Sequence, residues 1–145
     1  MSKPIQKFKS DYIYFESFTT RWRDNDVYGH MNNVVFYEFA DSIVNNWIKK
    51  FGGLNVPESE TIGLVVKTQC DYFSGLTFPK GVDCGLVCQD KGYSSVTYEV
   101  ALFNQCDEAA AAQIKFVHVY VDAITRKAVA LPKSLEKALL KISRY

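Results

Sequence analysis

The fold is decided by residues 33–51, which read NVVFYEFADSIVNNWIKKF. Apolar side chains recur there at spacings of three and four residues, the period of an α-helix with one buried face. They are Phe36, Phe39, Ala40, Ile43, Val44, Trp47, Ile48 and Phe51. The pair Gly52-Gly53 follows, as is common just past a helix end. The stretch therefore predicts one amphipathic helix from Asn33 to Phe51, roughly 27 Å long.

The flanking residues predict strands separated by turns. Phe8–Arg23 is aromatic and partly alternating, which indicates extended chain and a first strand. Four strands and a short closing helix are predicted after the long helix, at Thr61–Phe73, Gly81–Gln89, Ser94–Phe103, Ala109–Val121 and Ser134–Ile142. A short helix over Ala109–Gln113 is an alternative, because its alanines favour one, but the alternation that follows favours a strand.

This order of elements predicts an α+β fold with one sheet. In the strand Ser94–Phe103, Tyr98 and Val100 belong to an apolar set that alternates with Thr97, Glu99 and Ala101. A single helix covers one face of a sheet, so the other face and the edges would be exposed in a monomer. Pairing of protomers is therefore expected.

Composition and charge exclude several classes of protein. The chain has 145 residues, 48% apolar and 23% charged, which is close to the globular average and unlike disordered proteins. Lys and Arg number 17 against 16 Asp and Glu, a net charge of +1, which argues against binding to nucleic acid or to a membrane surface. We expect a single domain over residues 1–145.

The cysteines and the N-terminal stretch bear on compartment and cofactors. The N-terminus lacks an apolar segment before a small-residue cleavage site, so we expect a cytoplasmic protein. In a reducing compartment Cys70, Cys84, Cys88 and Cys106 are most simply buried or partly buried thiols. Cys84 and Cys88 are four residues apart in strand-like sequence without a neighbouring His, so we expect no metal site, and no cofactor either.

A polar segment directly before the long helix points to chemistry. Residues 24–33 read DNDVYGHMNN, which places Asp24, Asp26 and His30 in a loop that leads into a helix N-terminus. The first N–H groups of a helix lack intrahelical partners and can stabilise an oxyanion. A carboxylate opposite them can serve as nucleophile or general base for an ester, thioester or amide. Asp, Asn and Gly here could equally form only a turn and an N-cap, and His30 could simply bind a loop carbonyl.

The stretch RDNDVYGHMNNVVFY, Arg23–Tyr37, closely resembles the D-x-D-x-x-G-H-x-N-N-x-x-Y-like motif of hotdog-fold acyl-CoA thioesterases of the 4-hydroxybenzoyl-CoA thioesterase family. The resemblance continues at Tyr72–Pro79, at GYSSVTYE in residues 92–99 and from VYVD in residues 119–122 to the closing helix. It implies a hotdog fold, in which a curved antiparallel sheet of about five strands wraps one long central helix.

The resemblance also implies roles for residues of the motif. Asp26 matches the catalytic carboxylate, and Asn33 matches the helix start whose backbone N–H faces the thioester carbonyl. Asp24 matches a position that supports the loop, and His30 and Asn32 lie beside it as candidate substrate-binding residues. The implied activity is hydrolysis of an acyl- or aroyl-CoA to free acid and CoA.

Other parts of the chain are assigned to substrate binding by the same resemblance. Ser94 and Ser95 lie on a turn that approaches the substrate or its pantetheine arm. CoA phosphates would be bound by basic residues in turns, with Lys80, Lys91, Arg126 and Lys127 as candidates. Aromatic side chains of the long helix (Phe36, Tyr37, Trp47) either line an acyl or aryl pocket or pack in the core. The site would be shared by two protomers of a homodimer or homotetramer.

Two other functions are compatible with a hotdog chain. A dehydratase or hydratase of 3-hydroxyacyl thioesters would use a histidine as its base, and His30 is the candidate near the helix start. A non-catalytic acyl-binding protein would have no need of the two aspartates. One hotdog subgroup carries a glutamate on the opposite wall of the site; no residue matches it clearly, and Glu58 and Asp83 stay unassigned.

Overall fold

The computed structural model describes residues 3–55 and 58–144, which form one five-stranded antiparallel sheet and two α-helices. The strands are β1 (Tyr14–Phe18), β2 (Thr61–Tyr72), β3 (Val82–Lys91), β4 (Ser95–Asn104) and β5 (Ala112–Asp122). The helices are α1 (Asn33–Phe51) and α2 (Lys133–Leu140). Met1 and Ser2, the first residues of the N-terminal stretch considered above, lie outside the described residues.

The strands follow the spatial order β1-β3-β4-β5-β2, so that β1 and β2 form the two edges of the sheet. The register shifts by one residue between Val65 and Lys67 in β2 and between Cys88 and Asp90 in β3. Such irregularities bend a strand and increase its twist. A long helix packed on a curved antiparallel sheet confirms the predicted α+β hotdog architecture.

Helix α1 has the predicted bounds and, with one exception, the predicted buried face. Its buried side chains pack into one core with those of the sheet: Val35, Phe36, Phe39, Ala40, Ile43, Val44, Trp47 and Ile48. Gly52 ends the helix by donating its N–H to the Ile48 carbonyl at 2.8 Å. The prediction was wrong for Phe51, which is 54% exposed because it lies in the last turn, where its ring meets that of Tyr14 edge-on at 5.6 Å.

The outer face of the sheet differs from the expectation that it would be exposed. Glu99 is only 1% exposed and Ala101 is fully buried, although both alternate with the side chains that face α1. The N-terminal segment 5–12 crosses this face, where Gln113 Oε1 accepts a hydrogen bond from the Lys7 N–H at 2.6 Å. Around β4 the sheet is therefore covered on both sides.

One segment near a strand end is less extended than predicted, and another follows the strand that was favoured for it. Only Tyr14–Phe18 of the predicted stretch Phe8–Arg23 is a strand, and Trp22 is 79% exposed in a short 3₁₀ turn. The alanine run forms no helix, because the Ala111 N–H donates to the Leu102 carbonyl at 2.8 Å and leads directly into β5. Among the described residues no helix is both long and apolar enough to cross a membrane.

The cysteines follow the prediction at three of four positions. Cys84 and Cys88 are buried and Cys70 is half-buried, whereas Cys106 is exposed in the β4–β5 turn. Burial raises the pKa of Cys88 to about 11, so that this thiol is neutral at physiological pH.

Candidate functional site

The loop before α1 is closed by backbone hydrogen bonds centred on Asp26. The Asp26 N–H donates to the His30 carbonyl at 2.8 Å, and the Gly29 N–H donates to the Asp26 carbonyl at 3.1 Å. Gly29 has a φ of +83°, a conformation that residues with a side chain rarely adopt. The spacing from Asp26 to Gly29 and His30 is therefore that of a tight turn.

This turn leaves part of the Asp26 carboxylate available. Its Oδ1 accepts hydrogen bonds from the Tyr28 N–H at 2.9 Å and, at a longer distance of 3.4 Å, from the His30 N–H. No described residue donates a hydrogen bond to Oδ2. One carboxylate oxygen is thus fixed by the loop, and the other can accept a proton from water or approach a substrate.

The start of α1 supplies a second available group. Asn32 is the N-cap: its Oδ1 accepts from the Val34 N–H at 3.0 Å, and its carbonyl accepts from the Val35 N–H at 2.9 Å. No described residue accepts a hydrogen bond from the Asn33 N–H, which lies at the positive end of the helix. Asn33 itself is exposed.

Asp26 and Asn33 line the same open groove, whose volume is about 480 Å³. The loop and helix contribute one wall and the end of β2 contributes the other; the lining is Asp26, His30, Met31, Asn33, Phe36, Tyr72, Phe73, Ser74 and Gly75. The rings of Phe36 and Tyr72 meet edge-on at 5.1 Å and join the two walls. Burial raises the pKa of Tyr72, so its phenol stays a neutral donor in this groove.

Hydrogen bonds also fix one wall against the other. The Met31 N–H donates to the Leu76 carbonyl at 2.7 Å, and Thr77 Oγ1 donates to the Gly29 carbonyl at 3.0 Å. At Gly75 a Cβ atom would lie 2.8 Å from His30 Cδ2, so the missing side chain lets the imidazole rest against the backbone. The groove is therefore held in one shape by contacts on both sides.

Asp24 lies behind the groove and does not line it. It is 1% exposed, and its carboxylate accepts hydrogen bonds from the Arg21 backbone N–H at 2.8 Å and from Arg21 Nη2 at 2.8 Å. Its carbonyl accepts from the Asn32 N–H at 2.8 Å. Asp24 thus connects the start of the loop to the N-cap of α1.

The structure brings only some of the predicted site residues together. Asp26, His30 and Asn33 share the groove, with Asn32 next to them in the cap. Ser95 pairs with Val119 on β5, whereas Tyr72 pairs with Ala112. Those β5 positions are seven residues apart, roughly 23 Å, so Ser94 and Ser95 lie far from the groove within one chain.

The basic residues predicted to bind CoA are also divided between the two ends of the sheet. Lys80 lies near the groove, where its N–H donates to the Thr77 carbonyl at 3.2 Å. Lys91 forms an ion pair of 2.9 Å with Glu136 of α2. Arg126 and Lys127 belong to the turn after β5, next to the start of β2 and therefore roughly 36 Å from Tyr72.

The β2 wall of the groove, Tyr72–Gly75, was not predicted as part of the site. A sequence signal for it exists, since an aromatic pair followed by Ser and Gly ends a strand. Its proximity to His30 depends on a contact across more than forty residues of chain, which no local pattern encodes.

Solved structures share this fold at high similarity. The PA5185 protein from Pseudomonas aeruginosa is 42% identical, covers 96% of this chain and 97% of its own, and superposes with a TM-score of 0.92. Slr0204, a 1,4-dihydroxy-2-naphthoyl-CoA thioesterase from Synechocystis, is 14% identical with a TM-score of 0.79 over 88% of this chain and 95% of its own. SAV2348 from Staphylococcus aureus, solved in complex with CoA, is 17% identical with a TM-score of 0.81 over 100% of this chain and 91% of its own.

Sequence comparison adds a curated relative and a family. The uncharacterised Bacillus subtilis protein YsmA is 29% identical over 69 residues, a stretch that covers 48% of this chain and 46% of YsmA, less than half of that relative. Residues 20–139, from the turn before the Asp26 loop to α2, match the thioesterase-like superfamily. Because this match spans the whole groove and most of the chain, the protein belongs to the thioesterase-like superfamily.

Proposed function

We propose that this protein is a thioesterase of the 4-hydroxybenzoyl-CoA thioesterase type, which hydrolyses an acyl- or aroyl-CoA to free acid and CoA. One observation carries the proposal: Asp26 and Asn33 line the same groove. There, one carboxylate oxygen of Asp26 and the backbone N–H of Asn33 have no hydrogen-bond partner among the described residues. Two structural neighbours agree with it, since Slr0204 is a CoA thioesterase and SAV2348 was solved in complex with CoA.

The proposed reaction places the thioester carbonyl between these two groups. The Asn33 N–H donates to the carbonyl oxygen and stabilises the negative charge that develops there. Asp26 either takes a proton from an attacking water or attacks the carbonyl carbon itself to give an anhydride that water then cleaves. In both routes the C–S bond breaks and the CoA sulfur leaves with a proton. Water supplies the oxygen of the free acid directly or, when it cleaves the anhydride at Asp26, replaces the carboxylate oxygen that Asp26 gave to the acid.

The two routes can be separated by isotope labelling. If water cleaves the anhydride at the Asp26 carboxyl carbon, turnover in ¹⁸O water puts label into the Asp26 carboxylate, whereas a general base leaves Asp26 unlabelled and the label goes into the free acid. Mass spectrometry of the peptide that contains Asp26, after many turnovers, distinguishes them.

The active form in this proposal is a homodimer that pairs through β2, with a homotetramer as a pair of such dimers. β2 is an edge strand, and its central residues 65–69 are all exposed, including Val65 at 47% and Val66 at 60%. Exposed apolar edge strands are rarely left unpaired. Two copies of β2 related by a two-fold axis run antiparallel, so the start of one lies beside the end of the other.

This pairing accounts for the separation of the predicted substrate-binding residues. The turn with Arg126 and Lys127 lies at the start of β2, and the groove lies at its end. In the proposed dimer that turn of a second copy comes to the groove of the first, where its two cations can bind CoA phosphates. In the same dimer, Ser94 and Ser95 of one copy lie closer to the groove of the other copy than to their own.

A mixing experiment tests the shared site. Asp26→Asn and the double variant Arg126→Glu/Lys127→Glu are each expected to be inactive as homodimers at low acyl-CoA concentration. Mixed by unfolding and refolding, about half of the dimers carry one intact site of two, which restores about a quarter of wild-type activity. Absence of any recovery with confirmed mixed dimers contradicts a shared site.

The reaction itself is tested with a panel of acyl- and aroyl-CoAs scored for release of free thiol. Release above the uncatalysed rate for at least one member is expected. A panel without any thiol release contradicts the proposal and leaves an acyl-binding role.

A hydratase or dehydratase of 3-hydroxyacyl thioesters is the second candidate, because His30 lines the same groove. The same assay followed at the enoyl absorbance detects that activity. If His30→Ala abolishes turnover while Asp26→Asn stays active, the second candidate replaces the first.

A further inference from the structure

A second cavity, of about 540 Å³, lies between β1, the last turns of α1, and α2. Its floor is apolar: Trp47 is 2% exposed, and Phe51 and Ile13 expose 54% and 41% of their surface. Phe51 closes the helix whose first residue is Asn33, so the cavity lies roughly 27 Å from the proposed site. A volume of this size is typical of sites for small organic ligands.

The mouth of this cavity is cationic. Lys137 of α2 and Lys141, the residue that caps the end of α2, are four residues apart and both line it, and neither is ion-paired to a described residue. No described acidic residue lines the cavity. The carboxylate next to it, Glu16, is bound by Tyr14 Oη at 2.5 Å and by Asn46 Nδ2 at 2.9 Å.

An apolar floor under two ammonium groups is complementary to an anionic single-chain amphiphile. We propose that this cavity binds a medium-chain fatty acid, with the chain against Trp47, Phe51 and Ile13 and the carboxylate between Lys137 and Lys141. Burial of the methylene groups against the apolar floor supplies affinity, and the charged hydrogen bonds fix the orientation of the chain. The proposal does not depend on the thioesterase activity, because it uses none of the residues of the Asp26 groove.

Fluorescence of Trp47 reports directly on this cavity. The chain has two tryptophans, and replacing the exposed one by Trp22→Phe leaves Trp47 as the single reporter. Titration of this variant with dodecanoate, below its micelle concentration, is expected to give a saturable change in emission. Dodecanol and dodecyltrimethylammonium should bind at least about tenfold more weakly, because they cannot pair with the two lysines.

Charge reversal in the Trp22→Phe background tests whether the two lysines at the mouth of the cavity bind the carboxylate. Lys137→Glu/Lys141→Glu should weaken dodecanoate binding at least about tenfold. The matched control Lys49→Glu reverses an exposed lysine of α1 that does not line the cavity, and it should leave binding unchanged. Asp26→Asn should also leave it unchanged, which separates this site from the proposed active site.

Several results overturn the proposal. They are no saturable binding of dodecanoate, equal binding of all three amphiphiles, or binding that survives the double charge reversal. Blockage of the cavity by a second copy, seen as dodecanoate binding only to dissociated chains, also overturns it. Phe51→Ser replaces a half-exposed side chain and so keeps the fold. If the lysine variant does not fold, weaker dodecanoate binding by Phe51→Ser supports the proposal, and unchanged binding overturns it.

Discussion

At the scale of single residues, Asn33 is expected to act through its backbone and not through its side chain. Asn33→Pro removes the N–H, yet proline is well tolerated at the first helical position, and Asn32 already has the extended conformation, φ −60° and ψ 138°, that proline requires before it. We expect kcat for thioester hydrolysis to fall about 10²–10³-fold with little change in the melting temperature.

The matched control is Asn33→Ala, which keeps the N–H and removes only the exposed side chain. It should retain kcat within a few-fold. Equal losses of kcat in the two variants would mean that the Asn33 side chain, and not the helix N–H, stabilises the oxyanion.

A second residue-scale prediction concerns the N-cap. Asn32→Ala removes the acceptor of the Val34 N–H and should lower the free energy of unfolding by about 1 kcal/mol. Denaturant unfolding measures the change. Asn45→Ala, which alters an exposed asparagine in the middle of α1, serves as the control and should cost less.

At the scale of elements, α1 and the antiparallel strands could be predicted because their periods are local properties of the sequence. The helix bounds agree with the prediction at both ends, since Asn32 caps one and Gly52 ends the other. The Asp26 loop was predicted for the same reason: its turn, cap and charges lie within ten consecutive residues.

What the sequence could not predict depends on contacts between distant segments. The pattern of β4 places Glu99 opposite the core face, but no local pattern shows that Lys7 and Tyr12 cover it. The extent of β1 is set by its pairing with β3, and the second wall of the groove by the approach of Gly75 to His30.

The segment that covers the outer face gives a prediction about stability. Glu99 accepts hydrogen bonds from Lys7 Nζ at 2.9 Å and from Tyr12 Oη at 2.5 Å while 1% exposed. Lys7→Met leaves this carboxylate without its cation and should lower the free energy of unfolding by about 2–3 kcal/mol. Chemical denaturation measures it.

A double-mutant cycle supplies the control. Glu99→Gln in the Lys7→Met background should recover part of the loss, because the uncompensated charge is gone. Lys9→Met removes a partly exposed ion pair with Asp83 and should lower the free energy of unfolding by about 1 kcal/mol at most. A larger effect at Lys9 than at Lys7 would contradict this explanation.

At the scale of the whole molecule, stability should depend on pH through His118. This side chain is 3% exposed beside the ring of Tyr98, and neither imidazole nitrogen has a hydrogen-bond partner among the described residues. Burial lowers the pKa of His118 to about 4 from its usual 6.5. The unfolded chain therefore binds more protons between these two values.

The sign of the effect follows from this difference. The free energy of unfolding should fall as pH is lowered from 6.5 towards 4, by about 3 kcal/mol in total from this group. His118→Leu should flatten the dependence and be the more stable protein at pH 5. The exposed His30→Gln serves as the control, and an identical pH dependence in wild type and His118→Leu would contradict the assignment.

The most direct test of the proposed function is the effect of Asp26→Asn on kcat, measured as free thiol released from the best substrate of the acyl-CoA panel. The variant keeps the shape of the side chain and an oxygen for the Tyr28 N–H but removes the carboxylate charge. We expect kcat to fall about 10²–10⁴-fold, with KM and melting temperature nearly unchanged. Asp24→Asn, behind the groove, should reduce kcat less. Wild-type kcat in folded Asp26→Asn would contradict the proposed role of this residue.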